Sequence, residues 1–224
     1  VDCGVDGGDL VGGNSIAVSV TVMGDLEGRR PRLRSGAQPG HALLHCGVLG
    51  HGAAGLALLE RGYTRERSAL PAADSLLIDD FLRPKPPLAQ TLNACRDNRI
   101  GALMDVSDGL VRDARRMAKA SGVWIDIQST LLAAHLETLI PVARRLGFSD
   151  PWQWALQAVL TGGEDHGFLA TMRQPAERAW GPGIPSLPEG FSCIGRVRDG
   201  YEGGRVTIDG KLVSQRGGWD HFKA

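Results

Sequence analysis

The sequence lacks the features that mark several large classes of protein. Its 224 residues carry 25 basic and 25 acidic side chains, so the formal charge is zero and no segment has the dense positive charge of a nucleic-acid-binding surface. No run approaches the roughly 20 apolar residues of a membrane helix, and the first residues lack the basic start and apolar core of a signal peptide. We therefore expect a cytoplasmic protein that binds neither nucleic acid nor membrane.

Cysteine pairs and several common catalytic motifs are also missing. The cysteines, Cys3, Cys46, Cys95 and Cys193, are far apart and form no Cys-x-x-Cys pair, which predicts reduced thiols. There is no Gly-x-x-x-x-Gly-Lys-Ser/Thr loop, no Gly-x-Ser-x-Gly elbow and no His-Glu-x-x-His helix. P-loop nucleotide binding, serine hydrolases and zincins therefore have no support.

Apolar periodicity predicts an α/β fold in layers, an α+β arrangement of sheet and helices, preceded by part of another domain. Residues 15–23 alternate β-branched and small side chains and predict a strand. The Arg-, Pro- and Gly-rich segment 29–40 predicts a connection between domains. After it, strands and helices alternate. We predict an N-terminal remnant at 1–28, a linker at 29–40 and an α/β domain at 41–224.

The predicted elements of this domain are short. Strands are predicted at 42–48, 102–106, 123–127, near Phe168, at 192–197 and at 205–208; helices are predicted at 50–60, 75–82, 88–99, 109–121, 130–146 and from Pro151. Asp209-Gly210 predicts a hairpin turn.

The segment Gly7-Gly8-Asp9 is the first of three acidic motifs on glycine turns. Paired glycines let the backbone approach a bulky anion, and a carboxylate beside them can hold a hard cation that bridges phosphate oxygens. An ordinary turn explains the same residues.

The segment from Asp105 to Gly109 joins a predicted strand to a predicted helix. Its two aspartates, Asp105 and Asp108, stand three apart beside Ser107 and the start of the helix, which attracts phosphate. Carboxylates so close repel each other unless a cation or a proton separates them. The alternative is that Ser107 or Asp108 only caps the helix, which leaves Asp105 unexplained.

The third motif, Gly162-Gly163-Glu164-Asp165-His166, again places acids after glycines. Taken by itself, this motif is explained by helix capping or by exposure to solvent. Three such turns with few lysines nearby favour phosphates held mainly through metal ions.

In these segments the chain resembles the thiamine-monophosphate kinase family, whose superfamily includes aminoimidazole ribonucleotide synthetase, selenophosphate synthetase and a hydrogenase maturation factor. The likeness runs along the whole chain in a fixed order. It is carried by Gly-Gly-Asp at 7–9, Leu-Arg-Ser-Gly-Ala at 33–37, Ala-Gly-Leu-Ala-Leu at 54–58, Leu-Arg-Pro-Lys-Pro at 82–86, Met-Asp-Val-Ser-Asp-Gly-Leu at 104–110, Gly-Gly-Glu-Asp at 162–165 and Gly-Arg-Val at 195–197.

The resemblance implies transfer of the γ-phosphoryl group of ATP to thiamine monophosphate, giving thiamine diphosphate. It implies three groups of site residues: Asp9, Asp105 and Asp108 for Mg²⁺; Gly8, Arg34 and Ser107 for ATP; Glu164 and Trp219 for the thiamine part. An acid and an aromatic face suit a flat cationic thiazolium. The alternatives are that Trp219 is an ordinary packing residue and that Arg34 is a solvated charge of the linker.

The resemblance also implies a longer N-terminal domain that carries further aspartates and pairs two subunits. We therefore expect a homodimer for the intact enzyme and no kinase activity from this chain alone. Two alternatives remain open at this point: another ATP-using enzyme of the superfamily with a different acceptor, and a non-catalytic remnant that acts as a binding module.

Overall fold

The structure, a computed structural model, describes residues 4–64, 70–173, 187–200 and 203–213. The chain divides into two compact units, Val1–Pro31 and Arg32–Ala224. The division falls inside the segment predicted as a linker.

Residues 4–31 of the first unit contain no helix or strand. The prediction of a strand at 15–23 is therefore wrong. The alternating side chains of Ile16, Val18 and Val20 are 98%, 81% and 77% exposed. Alternation gives a strand only where a neighbouring strand completes the backbone hydrogen bonds and a core covers the apolar face.

The second unit contains seven strands and six α-helices within the described residues. The strands are β1 (Ala42–Cys46), β2 (Ile100–Val106), β3 (Trp124–Ile127), β4 (Gly167–Met172), β5 (Phe191–Arg198), β6 (Arg205–Ile208) and β7 (Lys211–Leu212). The helices are α1 (His51–Glu60), α2 (Ala72–Leu82), α3 (Leu88–Ala94), α4 (Leu110–Ser121), α5 (Ala133–Arg145) and α6 (Pro151–Thr161). In the part of the chain that the structure describes, no helix is long and apolar enough to cross a membrane.

All seven strands form one mixed sheet in the order β2-β4-β1-β5-β3-β6-β7. Neighbours are antiparallel except β3 and β6, which are parallel. The hairpin predicted at Asp209-Gly210 is confirmed: it joins β6 to β7, and both residues have positive φ, 50° and 77°. This is the backbone that a two-residue turn with the twist of the flanking strands requires.

Helices pack on one face of the sheet to form the main core. They contribute buried side chains such as Leu58 of α1, Ile78 of α2, Met117 of α4, Leu139 of α5 and Val159 of α6. A smaller cluster lies on the other face around Leu44, Ala170 and Phe191, with Ala94 of α3. Burying each large apolar side chain contributes about 1.5–3 kcal/mol, so this core supplies most of the driving force for folding.

Two helices differ from their predicted bounds because of local side-chain hydrogen bonds. Helix α3 ends at Ala94, not at residue 99, since the carboxylate of Asp97 accepts the Arg99 backbone N–H at 2.8 Å and fixes a turn. Helix α5 follows a 3-10 turn, Ser129–Leu132, in which the backbone N–H and hydroxyl of Ser129 both donate to Asp209, at 2.9 and 2.6 Å.

One edge of the sheet collects the second and third acidic motifs and the start of α1. Strands β1 and β2 are both antiparallel to β4, so they end where β4 begins; Cys46 lies opposite Phe168, and Val106 lies opposite Gly167. The segments 47–52, 107–109 and 162–166 therefore meet at this edge, which we call the motif edge.

Candidate functional site

The turn from Ser107 to Gly109 packs directly on the segment that follows α6. Gly109 has φ 113°, and a Cβ atom there would lie 2.8 Å from the Thr161 carbonyl oxygen. The carbonyl oxygen of Ser107 accepts the backbone N–H of Glu164 at 2.8 Å. The second and third acidic motifs are thus joined by a backbone hydrogen bond.

A buried carboxylate, Asp113, holds this turn from within α4. Its Oδ2 atom accepts the backbone N–H groups of Ser107 and Asp108 at 3.1 and 3.0 Å. Burial raises the pKa of Asp113, and the Asp108 backbone N–H and Arg116 oppose that rise. Sequence reasoning missed this residue, although an acid in the first turn of a helix is a signal that fits such a role.

The two predicted metal ligands of this turn have different surroundings. Asp105 is exposed, and its Oδ2 atom accepts the Ser107 hydroxyl hydrogen at 2.8 Å. Asp108 is half-buried and forms an ion pair with Arg116, whose Nη2 atom lies 2.6 Å from Oδ2. The other end of the same guanidinium, Nη1, donates to Asp113 at 2.6 Å. Arg116 therefore fixes Asp108 relative to the base of the turn.

Glu164 lies beside this turn with its side chain open to solvent. Its backbone has φ 67°, and that of His166 has φ 52°, conformations that non-glycine residues adopt rarely. The Glu164 carboxylate lies 3.3 Å from Nε2 of His166. The strained backbone keeps Glu164 at the motif edge next to Ser107, and such outliers cluster at functional sites.

Asp165 points the other way, into the protein, and caps α1. Its two carboxylate oxygens accept the backbone N–H groups of Gly50 and Gly52 at 2.6 and 2.8 Å. Desolvation raises the pKa of Asp165 to about 6 despite these hydrogen bonds. Adjacent acids thus have separate tasks: Asp165 joins two segments of the motif edge, and Glu164 remains accessible.

The other predicted residues belong to the first unit, lie at the far end of α4 or fall outside the described residues. Gly8 and Asp9 belong to the first unit, where both are exposed and Asp9 accepts the Leu10 backbone N–H at 2.8 Å. The carbonyl oxygen of Arg34 accepts the Ser121 hydroxyl hydrogen at 2.9 Å, at the end of α4 opposite to Ser107. Trp219 lies outside the described residues. The structure therefore brings together Asp105, Ser107, Asp108 and Glu164.

The donor set at the turn is chemically suited to Mg²⁺. Magnesium prefers oxygen ligands, keeps several waters and is commonly held by one or two carboxylates together with substrate phosphates. Asp105 and Asp108 supply two carboxylates beside a hydroxyl. Within residues 4–64, 70–173, 187–200 and 203–213, no group of three or more His, Cys, Asp or Glu side chains is arranged to hold a metal. The two carboxylates of the turn fit a site completed by phosphate and water.

The fold and this edge define the class of protein to which the chain belongs. Residues 38–203 match the family described as AIR synthase related protein, C-terminal domain. The chain is a member of this family.

Individual relatives within this family are similar to the chain over most of its length. The chain is 40% identical over 231 residues to thiamine-monophosphate kinase of Mycobacterium tuberculosis, covering 99% of this chain and 59% of that protein. It is 36% identical over 220 residues to thiamine-monophosphate kinase of Aquifex aeolicus, covering 98% of this chain and 63% of that protein. The solved structure of AaThiL complexed with AMPPCP and TMP matches with a TM-score of 0.64 at 35% identity, over 84% of this chain and 53% of that chain. The chain spans less than two thirds of the length of these relatives.

Proposed function

We propose that the chain forms part of an ATP-dependent kinase that phosphorylates thiamine monophosphate to thiamine diphosphate. The observation that carries the proposal is the junction at the motif edge, where the Asp105–Asp108 turn and Glu164 are joined by the hydrogen bond from the Glu164 N–H to the Ser107 carbonyl oxygen, 2.8 Å long. The similarity to thiamine-monophosphate kinases over 99% of the chain supports the same assignment.

In this proposal the three groups of residues have separate roles. Asp9, Asp105 and Asp108 hold Mg²⁺; Gly8, Arg34 and Ser107 contact ATP; Glu164 and Trp219 contact the thiamine part of the acceptor. Bound Mg²⁺ supplies charge neutralisation, since donor and acceptor phosphates are both anionic and repel each other.

The residues of the turn contribute by being fixed before the substrates arrive. Asp113 immobilises the Ser107 and Asp108 backbone, Arg116 fixes the Asp108 carboxylate, and the Ser107 hydroxyl is directed at Asp105. Preorganised charges of this kind lower a barrier because they need not reorient during the reaction. No covalent enzyme intermediate is required, because phosphoryl transfer depends mainly on positioning and electrostatics.

The direct test is an assay of the protein in its native length with ATP, thiamine monophosphate and saturating Mg²⁺, with thiamine diphosphate measured as the product. Replacing Asp108→Asn should lower kcat by at least about tenfold and change the affinity for thiamine monophosphate much less. The exposed Glu137→Gln, on α5, is the matched charge-removing control and should leave both unchanged. Absence of thiamine diphosphate from a folded protein would reject the proposal.

We also propose that the enzyme works in the cytoplasm as a homodimer, without nucleic-acid or membrane partners. Sedimentation equilibrium of the native-length protein tests the dimer, and cell fractionation tests the location. A monomer at assay concentrations would contradict the first of these statements.

A further inference from the structure

The two carboxylates of the turn before α4 each have one oxygen bound by the protein. Oδ2 of Asp108 lies 2.6 Å from Nη2 of Arg116, and Oδ2 of Asp105 accepts the Ser107 hydroxyl hydrogen at 2.8 Å. Among the described residues, every hydrogen bond and ion pair of these two carboxylates is made through Oδ2. Each aspartate therefore has a single oxygen, Oδ1, to offer to a cation.

The guanidinium of Arg116 is held in this position from its other end. Its Nη1 atom donates to Oδ1 of Asp113 at 2.6 Å, and the Asp113 side chain is 1% exposed. If Arg116 moved away from the turn, Asp113 would become a buried charge without its counter-ion, which strongly destabilises a protein. We therefore expect Arg116 to stay on Asp108 when a cation binds.

Arg116 in this position prevents a cation from binding both oxygens of Asp108. A cation held by both oxygens would lie close to Oδ2, where the positive charge of the guanidinium would repel it. The Nε atom of Arg112 lies 3.8 Å from the same oxygen and adds a second positive charge near it. Coordination through Oδ1 alone keeps the cation away from both arginines.

Coordination by one oxygen per carboxylate distinguishes the two common hard divalent cations. Mg²⁺ requires near-ideal octahedral geometry, keeps several waters and is commonly held by one or two carboxylates together with phosphates. Ca²⁺ takes about six to eight oxygen ligands and often binds both oxygens of one carboxylate. Two single oxygens therefore suit Mg²⁺ and leave Ca²⁺ short of ligands.

We propose that Arg116 is a positioning residue that gives this turn a preference for Mg²⁺ over Ca²⁺, because it restricts Asp108 to one coordinating oxygen. The Ser107 hydroxyl has the same effect on Asp105. The inference rests on the proposed function for the presence of a cation at the turn. The choice between the two cations rests on the contacts made by Oδ2 of each aspartate.

The test is a titration of the 224-residue chain with Ca²⁺ and, separately, with Mg²⁺, followed through the amide NMR signals of Ser107 and Asp108. Arg116→Met frees Oδ2 of Asp108 and should raise the affinity for Ca²⁺ about tenfold more than the affinity for Mg²⁺. The quantity compared is the ratio of the two dissociation constants. Loss of a positive charge alone strengthens the binding of both divalent cations to a similar extent, so it leaves this ratio unchanged.

Arg112→Met is the matched control for Arg116→Met. It removes the same charge near the same oxygen, but at 3.8 Å the Nε atom of Arg112 is too far from Asp108 for a hydrogen bond. Both affinities should therefore rise together, and their ratio should stay that of the wild type. The same ratio in the wild type and in both variants, or no response of either amide to either cation, would overturn the proposal.

A second variant keeps the test decisive if Arg116→Met does not fold, since that change leaves Asp113 without its counter-ion. Ser107→Ala frees Oδ2 of the exposed Asp105 and does not alter the core. It should shift the ratio towards Ca²⁺ in the same direction. The unfolding midpoint of each variant is measured first, and an unchanged ratio in folded Ser107→Ala would also reject the proposal.

The outcomes for the two proposals are distinct. If the native-length protein makes thiamine diphosphate and Arg116→Met leaves the ratio unchanged, the selectivity proposal fails and the kinase proposal stands. If the ratio shifts as expected but no thiamine diphosphate is formed, the role of Arg116 stands and the kinase proposal fails.

Discussion

Two buried histidines near β1 differ in their hydrogen bonding. His41 lies 3.2 Å from the Thr171 hydroxyl oxygen through its Nδ1 atom, whereas neither ring nitrogen of His45 has a hydrogen-bond partner among the described residues. Burial lowers the pKa of His45 to about 3, with a smaller contribution from the nearby His135. His45 is therefore a neutral polar side chain whose hydrogen-bonding groups are not satisfied by the protein.

We predict opposite effects when each of these histidines is replaced by leucine. At pH 7, His45→Leu should be neutral or stabilising because it removes unsatisfied groups, whereas His41→Leu should cost about 1–2 kcal/mol because it leaves Thr171 with one partner fewer. Urea unfolding of both variants makes the comparison. A larger loss for His45→Leu than for His41→Leu would show that His45 has a stabilising contact.

His45 should also make the folded protein less stable in acid. Its folded-state pKa is below its unfolded value, so the unfolded chain binds the proton first and stability is lost as pH falls below about 6.5. Between pH 7 and pH 5 this amounts to about 2 kcal/mol. We expect His45→Leu to reduce the acid loss by that amount, measured as the free energy of unfolding at the two pH values. An unchanged difference would contradict the prediction.

The titration of Asp165 should change folding stability with pH in the opposite direction to that of His45, over an overlapping pH range. Its pKa is raised to about 6 in the folded state, so the folded protein binds the proton more tightly and the contribution of Asp165 to stability is lost as pH rises from about 4 through 6. The change is about 3 kcal/mol. In Asp165→Asn, which cannot titrate, stability at pH 7 relative to pH 4 should therefore rise compared with the wild type. Parallel pH curves for the two proteins would reject this.

At the scale of elements, the fixed conformation of the turn before α4 depends on Asp113. The side chain of Asp113 is 1% exposed and holds two backbone N–H groups and one arginine. Asp113→Ala should cost about 3–5 kcal/mol, since it leaves those groups unpaired, and should accelerate hydrogen exchange at the Ser107 and Asp108 amides. The exposed Glu137→Ala should change the free energy of unfolding by less than about 0.5 kcal/mol. Unaltered exchange at both amides would show that the turn is held by other contacts.

Helix boundaries show which local signals are strong enough to be decisive in the sequence alone. Helix α4 was predicted to within a residue, because Gly109 and Gly122 flank it and its apolar positions, Leu110, Ala114 and Met117, repeat on one face. Helix α3 was predicted too long because the periodicity gave no sign that Asp97 folds back on Arg99. A pattern that repeats over three helical turns can be recognised in the sequence, whereas a single hydrogen bond cannot.

At the scale of the whole molecule, the two units differ in how much apolar surface they bury. In the first unit, Val5, Leu10 and Ile16 are 93%, 99% and 98% exposed, whereas the second unit contains both buried clusters. We predict that removing residues 1–31 changes the free energy of unfolding by less than about 1 kcal/mol, because exposed side chains contribute little to stability. Thermal unfolding of the 224-residue chain and of residues 32–224 tests this. A large loss of stability would show that the first unit contributes to the core.

The sequence by itself determined the layered α/β fold, most element positions and the motifs that meet at the motif edge. These follow from periodicity and turn chemistry, which act between residues close in the chain. Only the tertiary structure decided that Asp113 supports the turn at Ser107, that Asp165 caps α1 and that residues 15–23 form no strand. Each depends on which distant groups are within reach of one another, since a carboxylate finds its donors and a strand its partner only after the chain has folded.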